Sequence, residues 1–234
     1  MNFRIRLHTN EQLDNLSLSG PILLQTLSSL KLINKLFGNH KQLTKGILEY
    51  CTTQSKKKSF RIIDLGCGGG DSIYKISNKL NKKGIQASFI GIDGNPESIA
   101  YARSQYMKYD HIKFRTENIL DTEFTIPECD ILISSHFMYH FKDDQFVKFI
   151  KKVQQKEIKH LIFSELKRSI IAYFLFKFSS FILPISKVAK KDGLVAIRRA
   201  FTVNELENIL DKSNVKNYSI NKKFWFRTLT KIDL

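Results

Sequence analysis

The run Ile62-Ile63-Asp64-Leu65-Gly66-Cys67-Gly68-Gly69-Gly70-Asp71 leaves this chain few folds to choose from. Ile62, Ile63 and Leu65 are β-prone and apolar, as a strand buried on both faces requires. Gly66, Gly68, Gly69 and Gly70 let the backbone turn sharply and lie bare against a ligand. From Asp71 onward Ile73, Ile76 and Leu80 recur at three- and four-residue steps, so a helix begins at once. Strand, glycine turn and helix in this order predict an α/β domain that cradles a nucleotide-like cofactor.

A dinucleotide fingerprint needs a third glycine five residues after the first, for close helix–strand packing. Counted from Gly66 that place is Asp71, and counted from Gly68 it is Ile73, so neither register fits. The pattern that fits is D-x-G-x-G-x-G on Asp64, Gly66, Gly68 and Gly70. It resembles motif I of the class I S-adenosylmethionine (SAM) methyltransferases. A carboxylate at the strand end suits the methionine ammonium and sulfonium of that cofactor better than a pyrophosphate.

Ser88-Phe89-Ile90-Gly91-Ile92-Asp93 reads as a second buried strand ending in an acid, and Asp93 can accept from both ribose hydroxyls. Pro96 and Glu97 suit the first turn of the next helix. The resemblance places Gly94 and Asn95 beside the adenosine. In Ile112–Leu120 it places Asn118 where family members commonly carry Asp for the adenine amine, and Ile119 against the ring. Asn118 can still accept through its amide oxygen. Cys129–Ser135 resembles strand four of the family, with Ser134 and Ser135 at its cofactor end. His136-Phe137-Met138-Tyr139-His140-Phe141 follows, where many small-molecule members carry a Leu-His-His-like stretch. His136 and His140 are therefore candidate bases, His140 preferred, and Tyr139 a candidate for orienting the acceptor.

The resemblance implies a Rossmann-like α/β fold. It comprises a seven-stranded, mostly parallel sheet with helices on both faces and an antiparallel last strand. Residues 1–55 are expected to form an N-terminal helical cap and 56–234 the methyltransferase domain, with a helical lid insertion at about 166–200. Gly20-Pro21 begins one helix, ended by Gly38. Asn39 with Gln42 resembles a capping box for the next. Thr202 with Glu205 is another, ahead of Leu206, Ile209 and Leu210. Final strands are expected around Val215–Ile220 and Phe224–Thr230.

The stretch from Ser169 to about residue 186 is apolar nearly all round, interrupted by Lys177 and Pro184. It falls short of the roughly 20 clean apolar residues that span a bilayer. A lid over the acceptor pocket is the preferred reading; an interfacial helix making peripheral membrane contact and a dimer contact are the others, so monomer and homodimer both stay open. Tyr173 in this run, with Arg168, Arg199 and His136, are candidate acceptor contacts. The layout resembles the quinone-biosynthesis branch, menaquinone and ubiquinone C-methyltransferase-like. The Leu13-to-Pro21 stretch, Glu165-x-x-Arg168 and the Asp192-to-Thr202 run look like bacterial methyltransferases of phenolic-lipid and aryl-polyene pathways.

The chain's 234 residues suit one α/β domain with an added segment. Net charge is +16, which raises nucleic acid as a partner. Its lysines, however, form small scattered clusters, and strand four lacks the Asn/Asp-Pro-Pro-aromatic tetrapeptide of enzymes that methylate nucleic-acid amines. A small-molecule acceptor is expected, with no specific nucleic acid. An RNA methyltransferase and a non-catalytic SAM-binding partner are the alternatives. Cys51, Cys67 and Cys129 have no metal-ligand spacing, and no acceptor-side carboxylate cluster is evident, so no metal is expected. Scattered cysteines, and Arg4, Arg6, His8 and Glu11 in place of a signal-peptide core, predict a cytoplasmic protein, peripheral to a membrane at most.

Overall fold

The computed structural model describes residues 2–54 and 56–234. The strands are β1 (Ser59–Leu65), β2 (Gln86–Asp93), β3 (Ile112–Thr116), β4 (Ile131–Ser135), β5 (His160–Leu166), β6 (Tyr218–Lys223) and β7 (Arg227–Asp233). They form one sheet in the order β3-β2-β1-β4-β5-β7-β6. β7 runs antiparallel to both β5 and β6, and the other pairings are parallel. The expected sheet is therefore present. The strand order reverses between β1 and β4, and the crevice beyond the carboxyl ends at such a reversal is where ligands bind in open α/β sheets.

The helices are α1 (Gly20–Leu36), α2 (Asn39–Thr53), α3 (Asp71–Asn81), α4 (Pro96–Tyr106), α5 (Asp143–Gln154), α6 (Ile170–Ile182), α7 (Lys187–Arg199) and α8 (Val203–Lys212). Alternation along the strands splits their side chains between two cores. Ile63, Leu65, Leu132, Leu161 and Phe163 pack with Phe146, Phe149 and Ile150 of α5 and Leu206, Ile209 and Leu210 of α8. Phe60, Ile62, Ile131, Ile133 and Ile162 pack with α2, α3 and α4 on the opposite face. The central strands β1, β4 and β5 thus bury both faces, which is why they read as near-continuous apolar runs.

The capping box at Thr202 is present. The Thr202 hydroxyl accepts from Glu205 N at 3.3 Å, and Glu205 accepts from Thr202 N at 2.8 Å. Such a cap contributes about 1 kcal/mol. The expected box at Asn39 is not formed. Gly38, at φ 68°, takes the cap position, and Asn39 is fully buried. Its amide instead donates to Ser135 Oγ and accepts from Ser164 Oγ at 2.7 Å, tying α2 to the ends of β4 and β5.

The last two strands begin later than their residue types suggest. Phe224, Trp225 and Phe226 form the β6–β7 turn, with Trp225 and Phe226 at φ 60° and 53°. β7 is aligned by its ladder with β5, which pairs His160 with Asp233, and this register leaves the three aromatics outside it.

Candidate active site

The glycine turn sits where β1 meets β2. Gly66 N and Cys67 N both donate to Ile92 O, at 2.9 and 3.1 Å. Gly66 has φ 72°, and a Cβ there would lie 2.5 Å from the Phe137 ring, so only glycine fits between β1 and the loop after β4. Gly68 differs. At φ 51° its nearest neighbour to a Cβ would be Leu27 at 3.9 Å, and the bare backbone faces open space.

That space is a cavity of about 750 Å³. Asp64, Gly66, Cys67, Gly68, Asp93, Gly94, Asn95, Asn118, Ile119 and Ser135 all line it. Ser134 and Gly70 do not. Ser134 is fully buried and donates to Leu65 O at 3.0 Å, which fastens β4 to β1. Gly70 packs over Phe114 as the left-handed entry to α3. Both expected cofactor contacts are therefore parts of the frame beneath the cradle.

Three carboxylates give the cradle its charge. Asp93 accepts from Gly68 N and from Asn95 N, both at 2.9 Å, so each oxygen keeps a lone pair. Burial pushes its carboxyl above the ordinary range. Asp64 is pushed much further, first by complete burial and then by Asp71 and Asp93, and its Oδ1 has no hydrogen-bond partner. Asp71 is held below its usual value: His40 at 2.8 Å and Lys75 at 3.6 Å overcome its burial. An orphaned buried carboxylate beside the glycine turn fits a ligand that brings positive charge. Asn118 Oδ1 accepts from Leu120 N at 3.2 Å and retains a second lone pair towards the cavity. Burial and the neighbouring carboxylates push the Cys67 thiol well above its ordinary value, which keeps it inert.

This charge pattern carries a pH dependence. Asp64 and Asp93 hold protons above the ordinary carboxylate range in the free protein, whereas a cationic, hydroxyl-bearing ligand favours their ionised forms. Binding then releases protons, and affinity rises with pH. Titrations with S-adenosylhomocysteine between pH 5 and 8 are expected to tighten by roughly tenfold for each pH unit over which a carboxyl must surrender its proton. A flat profile contradicts the charge assignment.

The acceptor side is built from distant parts of the chain. A 3-10 turn at Gln12–Asp14 is held against α7, where Asp192 accepts from Gln12 N and Leu13 N at 2.9 and 3.0 Å. Arg199 reaches Asp14 at 2.6 Å and Glu11 at 3.3 Å, and Asp14 Oδ1 lies 2.9 Å from His140 Nδ1. Burial pushes Glu11 up to about 8 despite Arg199. Asp14 is also raised by burial, but His140 and Arg199 prevail and hold it at about 2. Glu11, Asp14 and His140 each present a ligand-type atom within 4.8 Å of the others, yet Arg199 already supplies the cation between the two carboxylates.

The remaining candidates separate clearly. His140 lines the cavity beside the cradle. His136 also lines it, at φ 57°, but its Nε2 faces the Arg227 guanidinium. Burial and Arg227 hold its pKa well below the ordinary value, so it stays neutral with Nε2 engaged and makes a poor base. Burial pushes the Tyr139 phenol far up, so it stays neutral. Arg199 lines the cavity, but Arg168 does not. The Arg168 guanidinium is spent on Phe3 O, Ala200 O and Glu205, at 3.0, 2.8 and 2.5 Å. Tyr173 packs edge-on to Phe3, with ring centres 5.5 Å apart, and does not line the cavity. The expected acceptor roles of Arg168 and Tyr173 are thus replaced by roles in holding the N-terminal segment.

Sequence reasoning missed Asp14, Glu11, Asn39, Glu165 and Arg227. Glu165 accepts from Phe137 N and Met138 N, both at 3.1 Å, and thereby shapes the histidine loop; its burial raises it to about 7. Burial lowers Arg227 to about 10. Glu165-x-x-Arg168 was legible as a motif, but its two members do different work.

The methyltransferase-domain family model matches residues 56–231, three quarters of the chain, and the chain belongs to that family. No curated protein sequence matches it. Similar solved structures include plantazolicin methyltransferase bound to S-adenosylhomocysteine, with TM-score 0.64 and 16% identity over 91% of this chain and 94% of that one. A Nostoc punctiforme PCC 73102 protein provisionally assigned as an O-methyltransferase has TM-score 0.63 and 10% identity, over 92% of this chain and 60% of that one, so this chain spans under two thirds of its length. Magnesium protoporphyrin IX methyltransferase of Synechocystis PCC 6803 has TM-score 0.54 and 14% identity over 84% of each chain. At such identities the likeness is one of fold.

Proposed function

We propose that this protein methylates a small aromatic or lipophilic acceptor, of the kind taken by the quinone-biosynthesis-like branch, with His140 as general base. The observation that carries this reading is the position of His140: it joins the Asp14 carboxylate at Nδ1 and lines one continuous cavity with Asp93 and the glycine turn. Two of the similar structures are named as methyltransferases of plantazolicin and of magnesium protoporphyrin IX, which supports an acceptor of that kind.

SAM, when bound, supplies a methyl group on a sulfonium, already activated for displacement. Gly68 offers bare backbone, Asp64 offers an unpaired carboxylate to a positive group, and Asp93 offers two acceptors to hydroxyls. With Nδ1–H donated to Asp14, His140 leaves its Nε2 lone pair to take a proton from a phenol or activated ring carbon. Asp14 stabilises the imidazolium that results, and Arg199 keeps Asp14 ionised and in place. Leu27, Leu30, Ile33, Phe37 and Phe176 line the cavity with apolar groups, which excludes water and gives an aromatic acceptor a surface to rest on.

The test is transfer of labelled methyl from SAM to a panel of lipophilic phenols and quinols, with RNA and polar amines alongside. Labelling of phenols or quinols is the expected result. Labelling confined to RNA or polar amines overturns the acceptor assignment.

A further inference from the structure

We propose that the outer face of α6 and the β6–β7 turn dock on an anionic membrane surface, so that the acceptor enters the cavity from the bilayer. The acceptor half of this proposal rests on the methyltransferase reading above. Ile170, Ile171, Phe174, Phe178, Phe181 and Ile182 all project to solvent, with Phe181 and Ile182 each 77% exposed. At roughly 100° per residue they fall within about 120° of the helix circumference, one continuous apolar face rather than scattered residues. Lys177, the single charged residue of α6, lies at the margin of that face.

The β6–β7 turn extends the patch. Phe224 is 87% and Trp225 53% exposed. Phe226 packs against the cluster that Ala172 and Tyr173 of α6 form with Ile197, and the Trp225 ring meets Phe37 at the end of α1, edge to face with centres 5.2 Å apart. Two protruding elements are thus joined at their bases. Leu175, Phe178, Ile182 and Trp225 are exposed and also line the cavity, so the cavity mouth opens within the apolar patch. Trp and Phe at such a rim suit the boundary between headgroups and acyl chains.

Charge selects the occupant. Exposed Lys177, Lys187, Lys191 and Lys222 lie on α6, on α7 packed beside it, and next to the turn. A second copy would bring another net charge of +16 against them, whereas anionic headgroups complement them. Among the described residues no helix is long and apolar enough to cross a membrane, so the contact lies in the interface plane.

The test is co-sedimentation with vesicles of phosphatidylglycerol and phosphatidylcholine in equal parts, and with phosphatidylcholine alone, at low salt. The full chain is expected to partition at least about tenfold better into the anionic vesicles. Phe174→Ser with Phe181→Ser, outside the cavity lining, is expected to lower that partitioning by about tenfold or more while circular dichroism and S-adenosylhomocysteine affinity stay unchanged. Three results would overturn docking: no sedimentation with anionic vesicles, equal sedimentation of the double variant, or a dimer in gel filtration that the double variant dissolves. Absence of S-adenosylhomocysteine binding by the folded wild type overturns instead the reading on which the acceptor half rests.

Discussion

Asp93→Ala is expected to weaken S-adenosylhomocysteine binding by about 10²-fold or more, measured by calorimetry on protein shown to be folded by its thermal melt. Asp93 ends β2 at the edge of the switch-point crevice, and its two oxygens already order the cradle through Gly68 N and Asn95 N. Alanine removes that ordering together with a charged acceptor for hydroxyl groups. Hydrogen bonds to a charged group are worth about 1.5–3 kcal/mol each, so losing two reaches the predicted range. Asp93→Asn keeps one carbonyl acceptor and is expected to fall between wild type and alanine. An alanine variant that binds within about threefold of wild type removes Asp93 from the cofactor site.

His140→Ala is expected to lower kcat by about 10²- to 10⁴-fold on whichever acceptor the wild type methylates, with cofactor affinity nearly unchanged. The imidazole is oriented at Nδ1 by Asp14, so Asp14→Asn should reproduce part of the loss by favouring the wrong tautomer. A general base leaves a further signature. Added imidazole should restore part of kcat to His140→Ala, whereas a merely structural role gives no such rescue. Full turnover by His140→Ala excludes it as the base, and an effect confined to KM makes it a positioning residue.

The central strands β1, β4 and β5 were legible because each is buried on both faces and so carries a near-continuous apolar run. The cradle was legible because its constraints are local: Gly66, Gly68 and Gly70 take left-handed backbone that favours glycine, and the acids stand at strand ends. The acceptor side was not. Asp14 meets His140 and Arg199 only after the chain has passed through most of the sheet, and no local pattern encodes that meeting. Arg168 and Arg199 look equivalent in sequence, yet one is consumed by backbone carbonyls and the other faces the cavity. Asn39 carried a capping signal that tertiary contacts overrode, because its amide satisfies two serine hydroxyls at once. Phe224–Phe226 has the composition of a strand, and only the ladder between β5 and β7 reveals it as a turn.

The first of these readings matters most, since every proposed step depends on the cradle holding its cofactor. Calorimetric titration of the folded wild-type chain with S-adenosylhomocysteine tests it directly. Saturable binding of one molecule per chain, tightening as pH rises, is the predicted result. A folded chain that gives no binding at any pH between 5 and 8 would contradict the account at its root.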